Sequence, residues 1–227
     1  MVGWVCSQCG PLAPEQVSIY REGEIFNAHS LKVGPWCRQC GERVLFDGND
    51  LPFAAARQGV LLLSGTCASG KSTLSYLLAR QYGAVQIDGD WITHLRQAEL
   101  GRKVDFNEIH NEMLVLAEGF VRLGKTVVIA HVILPEAMVI YHDFFTSHKI
   151  PYMAAVLMPA ESSVLEWNLN RKCWPKTTPE YWVKKFYDDL KGGPASFQEL
   201  FYNSTGETPE RTASVLWERF CFLVSTR

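Results

Sequence analysis

Apolar residues follow a regular pattern from about residue 57 to the end of the chain. Continuous apolar runs alternate there with segments whose apolar residues recur at helical spacing. Residues 60–63 form an unbroken apolar run, which favours a strand buried on both faces. Residues 73–82 are predicted as the next helix, because their leucines recur at helical spacing and Gly83 is typical of a helix C-terminus.

The same alternation predicts the remaining elements. Further strands are predicted over residues 84–87, 126–133, 152–158 and 199–202. Further helices are predicted over residues 136–148, 161–172, 179–191 and 209–222. Strands that alternate with helices imply right-handed crossovers, so the pattern predicts an α/β domain with a mainly parallel sheet and helices on both faces.

One more helix is predicted between residues 105 and 124. Asp105 and Glu108 have capping-box spacing, and Gly124 would end the helix. Its predicted apolar face consists of Ile109, Leu116, Phe120 and Leu123.

Residues 1–50 have a different pattern, with many turn residues and short β-like runs. We therefore predict a small N-terminal β domain over residues 1–50 and a larger α/β domain over residues 57–227. Lys and Arg number 22 against 24 Asp and Glu, so no global basic field recruits nucleic acid or an anionic membrane. The N-terminus lacks the features of a signal peptide, and no apolar run has the length of a membrane span. A cytoplasmic location is the expectation.

The residues after the first long apolar run fit the pattern G-x-x-x-x-G-K-[ST] at every fixed position. They are Gly65, Thr66, Cys67, Ala68, Ser69, Gly70, Lys71, Ser72 and Thr73. Such a loop, placed after a strand and before a helix, directs backbone N–H groups at phosphate oxygens. We expect Lys71 to contact the β- and γ-phosphates of ATP and Ser72 to bind Mg²⁺. An ordinary glycine-rich turn is the alternative.

Two carboxylates follow the second predicted strand. Asp88 and Asp90 belong to the segment Asp-Gly-Asp, which should lie at the carboxyl edge of the sheet beside the phosphate loop. A kinase that acts on a hydroxyl group needs a carboxylate there, so Asp90 is the candidate base and Asp88 the candidate partner on the metal side. A solvated Asp-Gly turn would explain the same residues.

The phosphate loop and the Asp-Gly-Asp segment together resemble a group of small P-loop kinases. The group includes adenylylsulfate kinase, gluconate kinase, chloramphenicol phosphotransferase and the polynucleotide 5′-hydroxyl kinases. The resemblance implies a five-stranded parallel sheet with helices on both sides, and it places Asp90 where the polynucleotide kinases have their base. It also implies a basic lid over residues 170–176, in which Arg171, ahead of Lys172 and Lys176, is the first candidate to stabilise the transferring phosphoryl group. Basic residues that pair with the dipole at a helix end would explain the same segment.

One position departs from related enzymes. Several P-loop enzymes end the third strand with an aspartate that serves Mg²⁺, whereas residues 128–130 are followed here by His131. Metal binding then rests on Ser72, Asp88 and water. For His131 we favour a packed or solvent-paired histidine over a role in acceptor binding.

Four cysteines of the N-terminal segment form two Cys-x-x-Cys-Gly units. They are Cys6, Cys9, Cys37 and Cys40. Two such knuckles can make a tetrahedral four-thiolate site, which suits Zn²⁺, and the spacing suits a zinc ribbon. A closed site of this kind predicts a role in structure or recognition without direct catalysis.

Three functions therefore stay open. The first is a kinase that uses ATP and Mg²⁺ to phosphorylate a hydroxyl group of a small metabolite, a nucleoside-like molecule or an antibiotic. The second is a 5′-hydroxyl kinase of RNA or DNA that docks through the zinc ribbon, although the charge balance does not favour nucleic acid. The third is a regulatory protein that binds ATP without transferring phosphate.

Overall fold

The computed structural model describes residues 3–6, 8–12, 17–18, 36–37, 39, 44–47, 58–101, 103–170 and 178–225. The chain divides into two compact units, Met1–Ala54 and Ala55–Arg227. The strands of the first unit are β1 (Gly3–Cys6), β2 (Gly10–Leu12), β3 (Val17–Ser18), β4 (Trp36–Cys37) and β5 (Val44–Asp47). β1 pairs antiparallel with β2 and with β5, and β3 pairs antiparallel with β4.

The second unit contains a parallel sheet of five strands, as the resemblance implied. The strands are β6 (Gly59–Gly65), β7 (Val85–Asp88), β8 (Thr126–Ala130), β9 (Tyr152–Leu157) and β10 (Phe201–Tyr202). Their order across the sheet is β10-β9-β6-β8-β7, and each neighbouring pair is parallel. β6 is therefore the central strand, so the loop that follows it begins in the middle of the carboxyl edge.

The described helices connect these strands, and the last helix follows β10. They are α1 (Lys71–Tyr82), α2 (Gly89–Leu100), α3 (Phe106–Arg122), α4 (Pro135–Ser147), α5 (Glu161–Leu169), α6 (Glu180–Lys191), α7 (Ala195–Gln198) and α8 (Pro209–Ser225). α2 and α7 were not predicted from the sequence. Among the described helices, none has the length together with the apolar character that crossing a membrane requires.

The alternation of side chains along β6 places apolar residues on both faces of the sheet. Val60 and Leu62 belong to a core that includes residues of α3 and α4, whereas Leu61 and Leu63 belong to a second core that includes residues of α1 and α8. All four side chains are fully buried. The prediction of a sheet covered by helices on both faces is confirmed, and this burial fixes the position of the loop after β6.

The predicted apolar face of α3 is correct in part. Ile109 is buried and Phe120 packs against the core, but the other two predicted residues are not part of the buried face. Leu116 is 44% exposed and Leu123 is 74% exposed, whereas Met113 and Ala117 are fully buried. At 3.6 residues per turn, the buried stripe is rotated from the predicted one by roughly a quarter turn. The rotation brings His110 into the interior, where it is 3% exposed.

Candidate active site

The turn after β6 closes tightly over the end of the sheet. Gly65 has a φ of 144°, and a Cβ atom at this position would lie 2.7 Å from the carbonyl oxygen of Leu157. Neither the backbone conformation nor the space admits a side chain, so glycine is required. The turn leads directly into α1, whose N-terminal N–H groups and positive dipole end favour an anion at this place.

Lys71 lies across this turn at the first residue of α1. Its Nζ atom donates hydrogen bonds to the carbonyl oxygens of Gly65, at 2.9 Å, and Thr66, at 2.7 Å. Ser72 is the next residue, and it is exposed. The Thr66 hydroxyl donates to the carbonyl oxygen of Val183 at 2.7 Å, which ties the turn to α6.

The Asp-Gly-Asp segment joins the end of β7 to the beginning of a helix, so it is not the solvated Asp-Gly turn considered as the alternative. Asp88 is the N-cap of α2, and its Oδ1 atom accepts a hydrogen bond from the backbone N–H of Asp90 at 3.0 Å. Asp90 lies in the first turn of α2, and its side chain is 58% exposed. The helix therefore fixes the backbone of Asp90, while its carboxylate reaches the surface of the site.

The carboxylate of Asp90 lies beside the imidazole of His131. The Oδ1 atom of Asp90 lies 3.6 Å from the Nδ1 atom of His131, which is an electrostatic contact longer than a normal hydrogen bond. Interaction with His131, assisted by the charge of Lys71, lowers the pKa of Asp90 from 3.8 to about 2, although burial acts in the opposite direction. Asp90 is therefore ionised at neutral pH.

Behind His131 lies a buried polar pair that the sequence did not reveal. The imidazole of His110 contacts that of His131 edge to face, with ring centroids 5.5 Å apart. The Nδ1 atom of His110 is 2.9 Å from the hydroxyl of Tyr141. Burial, with a smaller contribution from the charge of His131, lowers the pKa of His110 to about 4, so His110 is neutral at neutral pH.

A cavity of about 520 Å³ is lined by the turn after β6, by the beginning of α1, and by Asp90 and His131. The other residues that line it include Trp167, Thr178, Ser204, Glu207, Pro209 and Thr212. The carboxylate of Glu207 accepts hydrogen bonds from Tyr202, at 2.8 Å, and from Thr212, at 2.7 Å, which fixes the loop before α8.

Solved structures of known proteins share this architecture. A tunicamycin resistance protein from Deinococcus radiodurans matches with a TM-score of 0.57 and 16% identity, over 72% of this chain and 95% of that chain. A gluconokinase from Sinorhizobium meliloti 1021 matches with a TM-score of 0.54 and 15% identity, over 75% of this chain and 95% of that chain. The APS kinase of Mycobacterium tuberculosis in complex with AMPPNP and APS matches with a TM-score of 0.50 and 14% identity, over 71% and 96%.

The fold is that of the P-loop kinases. No protein-family model and no curated protein matches the sequence. The likeness is therefore one of fold.

Two of the predicted sites fall wholly or partly outside the described residues. The lid residue Arg171 lies there, as does Cys40 of the four cysteines. Among the described residues, no group of three or more His, Cys, Asp or Glu is placed to hold a metal ion. Zinc binding and the role of Arg171 stay predictions.

Proposed function

We propose that this chain is an ATP-dependent kinase that phosphorylates a hydroxyl group of a small molecule. The observation that carries the proposal is that Lys71 of the phosphate loop and the carboxylate of Asp90 line one cavity. A carboxylate that can receive a hydroxyl proton thus lies beside a cradle for phosphates, which is the arrangement that phosphoryl transfer to an alcohol needs.

The residues of the cavity fit ATP and Mg²⁺. Residues 67–74 line the cavity where α1 begins, and Ser72 is exposed there beside Lys71. We infer that residues 65–73 bind the phosphates of ATP and that Ser72 and Asp88, together with water, bind Mg²⁺. When bound, Mg²⁺ supplies positive charge to the β- and γ-phosphate oxygens.

The proposed transfer forms one bond, breaks one bond and moves one proton. The acceptor oxygen forms a bond to the γ-phosphorus of ATP, the bond from that phosphorus to the β,γ-bridging oxygen breaks, and ADP leaves. Asp90 receives the proton of the acceptor hydroxyl. Because its pKa is only about 2, Asp90 acts mainly by orienting the hydroxyl, and the proton moves late in a loose transition state.

The proposed acceptor is a class of molecule: a small metabolite, a nucleoside-like molecule or an antibiotic. The protein names among the similar structures include a gluconokinase, a tunicamycin resistance protein and an APS kinase, so one fold is associated with different small molecules. A 5′-hydroxyl kinase of RNA or DNA is the alternative, against which the near balance of 22 basic and 24 acidic residues argues.

The test is an assay of the purified full chain with Mg²⁺-ATP and a panel of nucleosides, sugars, hydroxylated antibiotics and 5′-hydroxyl oligonucleotides. ADP release and product mass are measured together. We expect one panel member to gain the mass of one phosphate, and we expect Lys71→Ala to abolish the gain. Asp143→Asn, an exposed aspartate of α4, is the matched control and should retain full activity. ATP binding without a phosphorylated product would favour the regulatory protein.

A further inference from the structure

His131 is a buried polar side chain without a hydrogen-bond partner in the part of the chain that the structure describes. It follows the last residue of β8 and is 3% exposed. Neither Nδ1 nor Nε2 of its ring makes a hydrogen bond there. Burial of an imidazole without a partner costs free energy, so its place beside the cavity requires an explanation.

The ring is held from several sides. A Cβ atom on Gly89 would lie 2.5 Å from the Cγ atom of His131, so α2 begins in direct contact with the ring. The rings of Phe106 and His110 lie 5.7 Å and 5.5 Å away, measured between centroids. Any side chain larger than hydrogen at residue 89 would displace the imidazole. The glycine of the Asp-Gly-Asp segment therefore permits the contact between His131 and the helix that carries Asp90.

Among the described contacts of the His131 ring, the one with Asp90 is with a carboxylate. His110 is hydrogen-bonded to Tyr141 through its own Nδ1 atom, and Phe106 offers only an aromatic ring. The Oδ1 atom of Asp90 lies 3.6 Å from Nδ1 of His131. A shift of roughly half an ångström, which the exposed carboxylate can make, shortens this contact to a hydrogen bond.

We propose that His131 is a positioning residue that holds the carboxylate of Asp90 in the orientation that receives the acceptor hydroxyl. The inference rests on the proposed kinase function. Asp90 is 58% exposed, and a side chain so placed samples several rotamers unless a neighbour selects one. A rigid, buried imidazole is such a neighbour. Since the alignment of a reacting group contributes strongly to rate, loss of His131 should lower kcat about 10- to 100-fold.

The kinetic test compares two substitutions at His131 in the full chain. His131→Leu removes the donor, whereas His131→Asn retains an N–H group near the position of Nδ1. We expect His131→Leu to lower kcat about 10- to 100-fold with the KM for ATP unchanged, and we expect His131→Asn to recover most of the rate. His142→Asn is the control, because His142 lies on α4, outside the cavity, and contacts Tyr152.

A double-mutant cycle separates positioning from a structural role. If His131 acts through Asp90, the variant Asp90→Asn/His131→Leu should be no slower than Asp90→Asn. An equal loss from His131→Leu in both backgrounds would overturn the proposal. If Asp90→Asn itself leaves the rate unchanged, Asp90 is not the catalytic base. That result would contradict the proposed function, and it differs from a result that contradicts the role of His131.

A spectroscopic measurement needs no acceptor. In protein labelled with ¹⁵N-histidine, we expect Asp90→Asn to shift the imidazole signals of His131 and Asp143→Asn to leave them in place. Unchanged His131 signals in Asp90→Asn would contradict the proposed contact, whatever the activity of the enzyme.

Discussion

At the scale of single residues, Gly65 has the least freedom in the phosphate loop. A Cβ atom there would meet both the Ser69 hydroxyl, at 2.5 Å, and the Leu157 carbonyl oxygen, at 2.7 Å. We predict that Gly65→Ala lowers the free energy of unfolding by about 2 kcal/mol, as expected for a side chain forced into a strained backbone region. Denaturant unfolding followed by circular dichroism measures this change.

Gly119 provides the matched control for that substitution. It lies inside α3 with no atom within 4 Å of an added Cβ. Gly119→Ala should therefore raise the free energy of unfolding by about 1 kcal/mol, because alanine favours a helix interior. Equal effects of the two substitutions would contradict the assigned loop geometry.

His110 should make the free energy of unfolding depend on pH. Its pKa is 6.5 as a free side chain and about 4 in the fold, so the unfolded chain binds more protons between these values. We predict that the free energy of unfolding falls as the pH is lowered from about 6.5 to about 4. Urea unfolding at a series of pH values measures the slope, which His110→Gln should reduce and His142→Asn should retain. A slope unaffected by His110→Gln would contradict the burial of His110.

The strand, turn and helix around residues 65–73 could be predicted from the sequence because all fixed positions of the motif are adjacent in the chain. The contact between His131 and Asp90 could not, since it joins residues that follow two neighbouring strands, β8 and β7. His110 was missed for a related reason: only the rotation of α3 about its axis decides that this histidine is buried.

At the scale of elements, α2 was missed because its sequence has little apolar periodicity. Its residues are largely exposed or half-buried, with only Gly89 buried, and Asp-Gly-Asp is also typical of a turn. The order of the strands in the sheet could not be predicted from the pattern of apolar residues either, because that pattern does not specify which strands are neighbours.

The two aspartate caps of α2 and α3 allow a paired prediction. Asp88 and Asp105 each accept a hydrogen bond from a backbone N–H group two residues later. We expect Asp88→Ala and Asp105→Ala each to cost about 1 kcal/mol of stability in thermal or denaturant unfolding. Only Asp88→Ala should also lower the rate of phosphoryl transfer, because Asp88 caps the helix that carries Asp90 and is itself a proposed residue of the Mg²⁺ site. Equal activity of the two variants would contradict the role of the α2 N-terminus.

At the scale of the whole molecule, the two units should differ in metal content. We predict that the purified chain contains one tightly bound Zn²⁺ held by the four N-terminal cysteines. Mass spectrometry of metals should find about one zinc per chain, and Cys40→Ser should remove it. Cys221→Ser, which changes a cysteine of α8, should retain the zinc. A folded protein without zinc would contradict the ribbon.

Asp90 is the proposed base for phosphoryl transfer from ATP to a hydroxyl group. Its role is measured by the rate of transfer to the acceptor found in the panel, for the native chain and for Asp90→Asn. We predict a fall of about 10²- to 10⁴-fold with ATP affinity nearly unchanged. An unchanged rate in Asp90→Asn would contradict the proposed role of Asp90.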